Sequence, residues 1–380
     1  MSGRLVMSDD LTRYDFGNDH PMAPGRISNT ISLARQLGVL DRLDIVPPPE
    51  IDIDTLRTVH TADYIDAVRC GGPNAAYGLG TSDNPAFPGM HEIAGRVAMA
   101  TLEAARGVWT GEVERACNIS GGLHHAMPDH ASGFCIYNDL AIAIRWLLDA
   151  GCERIAYVDV DVHHGDGVQA IFYDDPRVLT VSLHETPTHL FPGTGFAYES
   201  GGPHARGTAV NVALPSGTTD AGWLRAFHAI VPKVVAEHKP DILVTQHGCD
   251  SHRRDPLADL NLSLDGQRAS YLAVAELADQ FCERRWVSTG GGGYAVLNVV
   301  PRAWSHLLAV VSGQPIPPET EVPLAWREEV GEPAPLTMSD GVDAAYVEFE
   351  QGFSPESALD QAILATRRAV FPELGLDPGP

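Results

Sequence analysis

Lysine is nearly absent from this sequence. Of 26 basic residues only Lys233 and Lys239 are lysines, and they face 50 acidic residues, for a formal net charge of −24. A chain this acidic repels phosphate, which excludes a broad nucleic-acid-binding face and leaves solubility as the plain role of the surplus acid. Cysteine is sparse and unpaired: Cys70, Cys117, Cys135, Cys152, Cys249 and Cys282 form no CxxC motif and lie among apolar stretches. They read as reduced thiols of a cytosolic protein, not as a disulfide framework. Long apolar runs are missing as well. None approaches the ~20 residues a bilayer crossing needs, and the opening MSGRLVMSDD lacks the apolar centre of a secretory signal. A soluble, cytoplasmic protein without a membrane partner is expected.

What remains is ordinary globular composition, 44% hydrophobic, 20% charged and 7% aromatic. That excludes collagen-like, coiled-coil and wholly disordered chains. The 380 residues suffice for one large α/β domain or two smaller ones. No internal repeat is visible. Residues 1–314 alternate β and α patterns. Short Val-, Ile- and Thr-rich runs at Arg154–Val162, Arg177–His184, Asp241–Asp250 and Arg285–Gly290 end in Gly, His or Asp, as buried parallel strands do. Helical patterns cover Met90–Trp109, Asp139–Ala150, Asp220–His238 and Leu264–Arg284, with Asn138 placed to cap the second and Gly151 to stop it. This rhythm predicts a parallel sheet covered on both faces, with ligands beyond the carboxyl ends of its strands. Residues 315–380 differ: they are acidic and Pro-rich, and are expected to form a solvated extension packing on the domain through Trp326 and Tyr346.

Chemistry concentrates at the predicted strand ends. The run IAYVDVDV leads into His163-His164-Gly165-Asp166-Gly167, so three acids and two histidines fall within eight residues. Alternation along a strand would aim Asp159, Asp161 and His163 the same way. Carboxylates crowded like this need a cation or a proton to be tolerable. Imidazole with carboxylate suits zinc, and Asp250, ending another predicted strand, can supply the third ligand. Gly121-Gly122-Leu123-His124-His125 follows the β-like ACNIS, and its two imidazoles could divide base and acid roles, each oriented by a spare carboxylate, Asp159 or Asp166. The glycine run before Tyr294 lacks P-loop spacing. It suits close backbone approach to a ligand, with a phenol able to donate to a developing oxyanion. Phe134 and Phe191, each between small residues, could face each other across a slot for a linear alkyl chain; alone, each would read as core.

In this order and spacing, GGLHHA, SGFCIYND, YVDVDVHHGDG, TVSLH, FPGTG and GGGGY resemble the zinc-dependent histone deacetylase superfamily. Within it, DNPAFPGMHE, LHHAMPDHASGFCIYND and QHGCDSHRRDPL are similar to the bacterial acetoin-utilization deacetylases. The resemblance covers about residues 13–312. It implies the arginase–deacetylase fold, a single α/β domain around an eight-stranded, mainly parallel sheet. It further implies zinc, with ferrous iron as the other metal, on Asp161, His163 and Asp250. His125 resembles the general base, His124 the second histidine, Asp166 and Asp159 their respective carboxylates, and Tyr294 the transition-state phenol. Gly133, Phe134 and Phe191 resemble the acyl-lysine channel, with Leu257 at its rim. Asp83 resembles the rim acid that holds the substrate backbone, and Arg26 the arginine near an internal acetate exit. A potassium ion is implied at Asp159, Asp161, His163, Ser182 and Leu183. A second is implied near Phe172, Asp175 and Val178, where Thr208 stands in place of the tyrosine of eukaryotic members.

The activity implied is hydrolysis of the acetyl amide of N6-acetyl-lysine in proteins, with an acetyl-coenzyme A synthetase as the partner suggested by bacterial relatives. Three other readings share parts of this pattern. The ureohydrolase branch needs two bridged manganese ions, but Gly165 follows the His-His pair here and the tunnel phenylalanines and GGGGY are present. An acetylpolyamine amidohydrolase would run the same chemistry on a small cation. A dead acyl-lysine reader would be expected to lack a ligand, a histidine or the tyrosine, and none is missing.

Overall fold

The computed structural model describes residues 3–17, 20–331 and 333–379. Among them, eight strands form one sheet: β1 (Gly3–Val6), β2 (Leu43–Val46), β3 (Arg115–Asn118), β4 (Ile155–Asp159), β5 (Val178–Glu185), β6 (Ala209–Leu214), β7 (Ile242–Gln246) and β8 (Trp286–Thr289). Their order is β2-β1-β3-β8-β7-β4-β5-β6, and every pairing is parallel. The sheet is thus wholly parallel where the sequence implied a mainly parallel one.

Such a sheet must be covered on both faces, and the strand residues alternate accordingly. Ala156 and Val158 of β4 enter one core with helices Gly25–Gln36, Asp220–His238, Leu264–Phe281 and Val300–Val311. Ile155 and Tyr157 enter the other, with helices Ala62–Cys70, Met90–Trp109 and Asp139–Asp149. The Asn138 side chain caps the last of these by accepting from Ala141 N, and Gly151 follows it at φ 94°.

Strand β4 stops at Asp159, short of the predicted Val162, because the chain must turn there to bring its polar residues over the sheet edge. Asp161 and His163 therefore sit in a loop, and it is this loop, not strand alternation, that aims them.

The acidic segment is not solvated along its length. Trp326 is fully buried and donates from Nε1 to Asn29 O at 3.0 Å. Helix Ala358–Val370 lies on edge strand β6, where Thr366 Oγ1 donates to Asn211 O at 2.5 Å, covering backbone that would otherwise invite further pairing. Arg225 holds Asp360 through two bonds of 2.8 and 3.0 Å. Tyr346 stacks on His228 with centroids 4.9 Å apart.

Candidate active site

The loops after β3, β4, β5, β7 and β8 build the site. After β4 come Asp161 and His163; after β7 comes Asp250. One ligand atom of each lies within 4.8 Å of the others, and all three residues are buried. His163 Nδ1 is 3.1 Å from both Asp161 Oδ1 and Asp250 Oδ2. The remaining carboxylate oxygens are already committed. Asp161 Oδ2 accepts from Gln246 Nε2 at 2.7 Å and Gly292 N at 2.8 Å, and Asp250 Oδ1 accepts from Val162 N at 3.0 Å. Asp161 Oδ1, which also accepts from His163 N at 3.0 Å, Asp250 Oδ2 and one imidazole nitrogen thus face a common point. Burial pushes Asp250 up, with the Asp161 charge adding to it, whereas His124 and His163 hold Asp161 well below the ordinary carboxylate range despite the same burial. The acids overcome the effect of burial on His163 and carry it to about 10. Two buried carboxylates here demand a cation, and the donor set of one nitrogen and two oxygens fits zinc. Gly292 is required by this closeness, since a Cβ there would run into Asp250 Oδ2.

Above this point stand the paired histidines after β3. His124 Nδ1 is 2.7 Å from Asp159 Oδ2, His125 Nδ1 is 2.6 Å from Asp166 Oδ1, and the two Nε2 atoms are 3.0 Å apart. Burial depresses both rings, but Asp159 and Asp161 carry His124 up to about 9, and its charge helps keep His125 low. The consistent proton count is a charged His124 donating from Nε2 and a neutral His125 with its Nδ1–H on Asp166. The one lone pair of His125, on Nε2, then accepts from His124 Nε2–H across the 3.0 Å contact. His164 turns away from this cluster, with Nε2 3.1 Å from Gln169 Oε1, so only one member of that pair joins the acids.

A cavity of about 220 Å³ leads to the cluster, lined by Asp83, His125, Gly133, Phe134, His163, Leu190, Phe191, Leu257 and Tyr294. Phe191 stands edge-on to His125 at 5.0 Å and Phe134 edge-on to Tyr294 at 5.8 Å. Phe191 and Leu257 are 45% and 37% exposed and form the mouth. Asp83 Oδ2 accepts from Gly133 N at 3.1 Å. Phe134 adopts φ 67°, a costly backbone for a non-glycine residue, and Tyr14 holds it there. The Tyr14 hydroxyl donates to Phe134 O at 2.8 Å and accepts from Ile136 N at 3.1 Å. Arg26 does not line this cavity. Its guanidinium bonds Gly291 O and Gly293 O, packs over Tyr294, and lies with Met22 against a second small pocket. Ser182 pairs with Asp159 in register across β5 and β4, and its hydroxyl donates to His184 Nδ1 at 2.8 Å; the Leu183 side chain lies in the core.

Several residues that hold this site were not singled out from the sequence. Asp139 accepts from Leu123 N at 2.7 Å and Gly122 N at 3.0 Å, anchoring the backbone before the histidines. Tyr157 donates to Asp159 Oδ2 at 2.5 Å, sharing that oxygen with His124. Gln246 holds Asp161, and Asp255 accepts from Tyr294 N at 2.8 Å. Nothing in the sequence marks them, since a lone acid, tyrosine or glutamine has an ordinary use as a cap, a turn or a core residue.

Comparison with known proteins agrees with this geometry. The histone deacetylase domain model matches residues 20–311, and the chain belongs to that family. Among curated relatives, the acetoin utilization protein AcuC of Bacillus subtilis (strain 168) is 39% identical over 350 residues, 89% of this chain and 90% of its own. The protein of the same name from Staphylococcus xylosus is 38% identical over 328 residues, 84% and 85% of the two chains. The crystal structure of an HDAC homolog from Aquifex aeolicus superposes with a TM-score of 0.84 at 27% identity, covering 96% of this chain and all of that one. An HDAC homolog complexed with SAHA gives 0.85 at 26% identity with the same coverage.

Proposed function

We propose that this chain is a zinc-dependent deacetylase that hydrolyses the acetyl amide of N6-acetyl-lysine in proteins. One observation carries the reading: Asp161, His163 and Asp250 converge beside two carboxylate-paired histidines and Tyr294, at a cavity walled by Phe134 and Phe191. A chain of methylenes ending in an amide suits such walls. Zinc on the three ligands would polarise the amide carbonyl and lower the pKa of a water beside it; ferrous iron is the other metal the donors accept. His125 would take a proton from that water through Nε2 once the water displaces the His124 N–H from that lone pair, its ring held in one tautomer by Asp166. His124 keeps a proton at Nε2 for the departing lysine amine, with Asp159 stabilising its charge. Tyr294 would donate its phenolic hydrogen to the developing oxyanion, while Arg26 and Asp255 hold the peptide that precedes it by its oxygen and its nitrogen.

Asp83 at the mouth would accept from the substrate backbone. An inner potassium ion, a hard cation suited to oxygen ligands, would be held by Asp159, Asp161, His163, Ser182 and Leu183. The partner proposed is an acetylated metabolic enzyme, an acetyl-coenzyme A synthetase first, in the cytoplasm, in keeping with relatives named for acetoin utilization. Among the described residues no helix is long and apolar enough to cross a membrane.

The test offers zinc-loaded protein an acetyl-lysine peptide beside N-acetylputrescine, with Tyr294→Phe as control. Peptide turnover abolished by the substitution is the expected result. Preference for the acetylated polyamine would move the protein to small-molecule substrates, and no turnover of either would overturn the deacetylase reading.

A further inference from the structure

The acidic segment after residue 314 contributes a strap, residues 337–342, to the back of the site. Its centre is Asp340, whose carboxylate is nearly buried. Asp340 Oδ2 accepts from His252 Nε2 at 2.7 Å, from Arg253 at 3.3 Å and from Leu264 N at 3.3 Å. Arg254 N donates to His252 Nδ1 at 3.1 Å, so the ring must present its hydrogen on Nε2 to Asp340. On its other side, Asp340 Oδ1 accepts from Arg302 at 3.0 Å. Arg302 also donates to Asn298 O at 2.6 and 2.8 Å, and to Thr337 O and Ser339 O at 3.1 Å each. The strap itself is fastened to the first turn of helix Leu264–Phe281: Ser339 Oγ and Asp340 N donate to the Asp265 carboxylate at 2.8 and 3.0 Å.

These contacts join the two loops whose relative position decides the chemistry. The His252 loop carries Asp250 at one end, and then Asp255 and Leu257. Asp255 accepts from Tyr294 N at 2.8 Å and Leu257 N at 3.0 Å. The Asn298 loop carries Tyr294. We propose that Asp340 is a positioning residue of the active site: by clamping His252 to Arg302 it sets the Tyr294 phenol against the Asp250 ligand. The acidic segment is then a working part of the enzyme. This rests on the proposed deacetylase reading for its kinetic consequence, though not for its structural one.

The experiment compares zinc-loaded wild type, Asp340→Asn, Tyr294→Phe and the double variant. Asp360→Asn serves as a control, since it breaks the buried Arg225 pair in the same segment far from the clamp. Asp340→Asn is expected to lower kcat by about 10–100-fold with KM little changed, as loss of outer partners does in such sites. In the Tyr294→Phe background it should add less than about twofold, because both changes remove the same aligned phenol. Asp360→Asn should lower Tm without lowering kcat. Independently of activity, amide exchange at Tyr294 should accelerate at least about tenfold in Asp340→Asn. Equal losses in both backgrounds, or unchanged Tyr294 exchange, would overturn the proposal and leave the strap merely structural. If wild type shows no deacetylation, the functional reading fails while the exchange measurement still decides the clamp. If Asp340→Asn does not fold, Arg302→Lys reports the same link, keeping the buried charge while giving up the bridge to Asn298.

Discussion

His306 offers a measurement of how the acidic segment is tied into the folding unit. It lies in helix Val300–Val311, fully buried, and its Nε2 donates to Met338 O at 2.7 Å. Burial drives it from 6.5 down to about 4. The unfolded chain therefore takes a proton below pH 6.5 that the native ring refuses until about pH 4. Stability is complete above pH 6.5 and is lost as the pH falls through that window. At 1.36 kcal/mol per unit the full span is about 3 kcal/mol, of which about 2 kcal/mol is already lost at pH 5. With an unfolding entropy of about 2.1 cal/mol/K per residue, that corresponds to about 2.5 °C in Tm for a chain of this length. His306→Gln keeps a donor for Met338 O and removes the titration. Calorimetry at pH 7.5 and 5.0 should show the wild type losing about 2.5 °C more than the variant between the two pH values. His60, also held at about 4, stays in both proteins and cancels. Equal losses in the two proteins would refute the view that His306 is buried neutral against the segment.

Tyr294→Phe should lower kcat by about 10²–10³ with zinc affinity intact, read by peptide deacetylation and metal titration; a smaller loss would remove the phenol from the oxyanion. Gly292→Ala should weaken zinc about 10–100-fold in a chelator competition, since its Cβ would meet Asp250 Oδ2, and wild-type affinity would count against this ligand set. Trp326→Ala should cost about 3–5 kcal/mol in denaturant unfolding, because the indole is buried against Asn29; an unchanged midpoint would place it outside the cooperative core.

The parts of the site that can be read in the sequence are those carried by contiguous motifs. Asp161 and His163 are two residues apart, so any local conformation that buries one brings the other near. His124 and His125 are adjacent. The parallel sheet is legible in short apolar runs ending in Gly, His and Asp, because a strand covered on both faces has no polar side to alternate with. Asp139, Asp255 and Asp340 are not legible in this way. Each is a single acid in a loop or at a helix start, where a cap or a turn is the ordinary use, and each acts on backbone or side chains distant in sequence. Asp159 marks where alternation stops being a guide: the chain leaves the strand there, and its carboxylate goes to His124, the orienting role expected of a spare acid beside the metal ligands.

By itself, then, the sequence determined the α/β class, the strand ends that carry chemistry and the residue types of a metal-assisted hydrolase. Those properties follow from burial pattern and local spacing, which need no knowledge of the rest of the chain. Tertiary structure alone decided which oxygen of each acid faces the common point, which histidine carries the charge, and that an acidic, Pro-rich segment is packed into the core behind the site. Each of these depends on hydrogen bonds between atoms far apart in the chain. A buried group's protonation and aim are set by those partners, not by its neighbours in sequence.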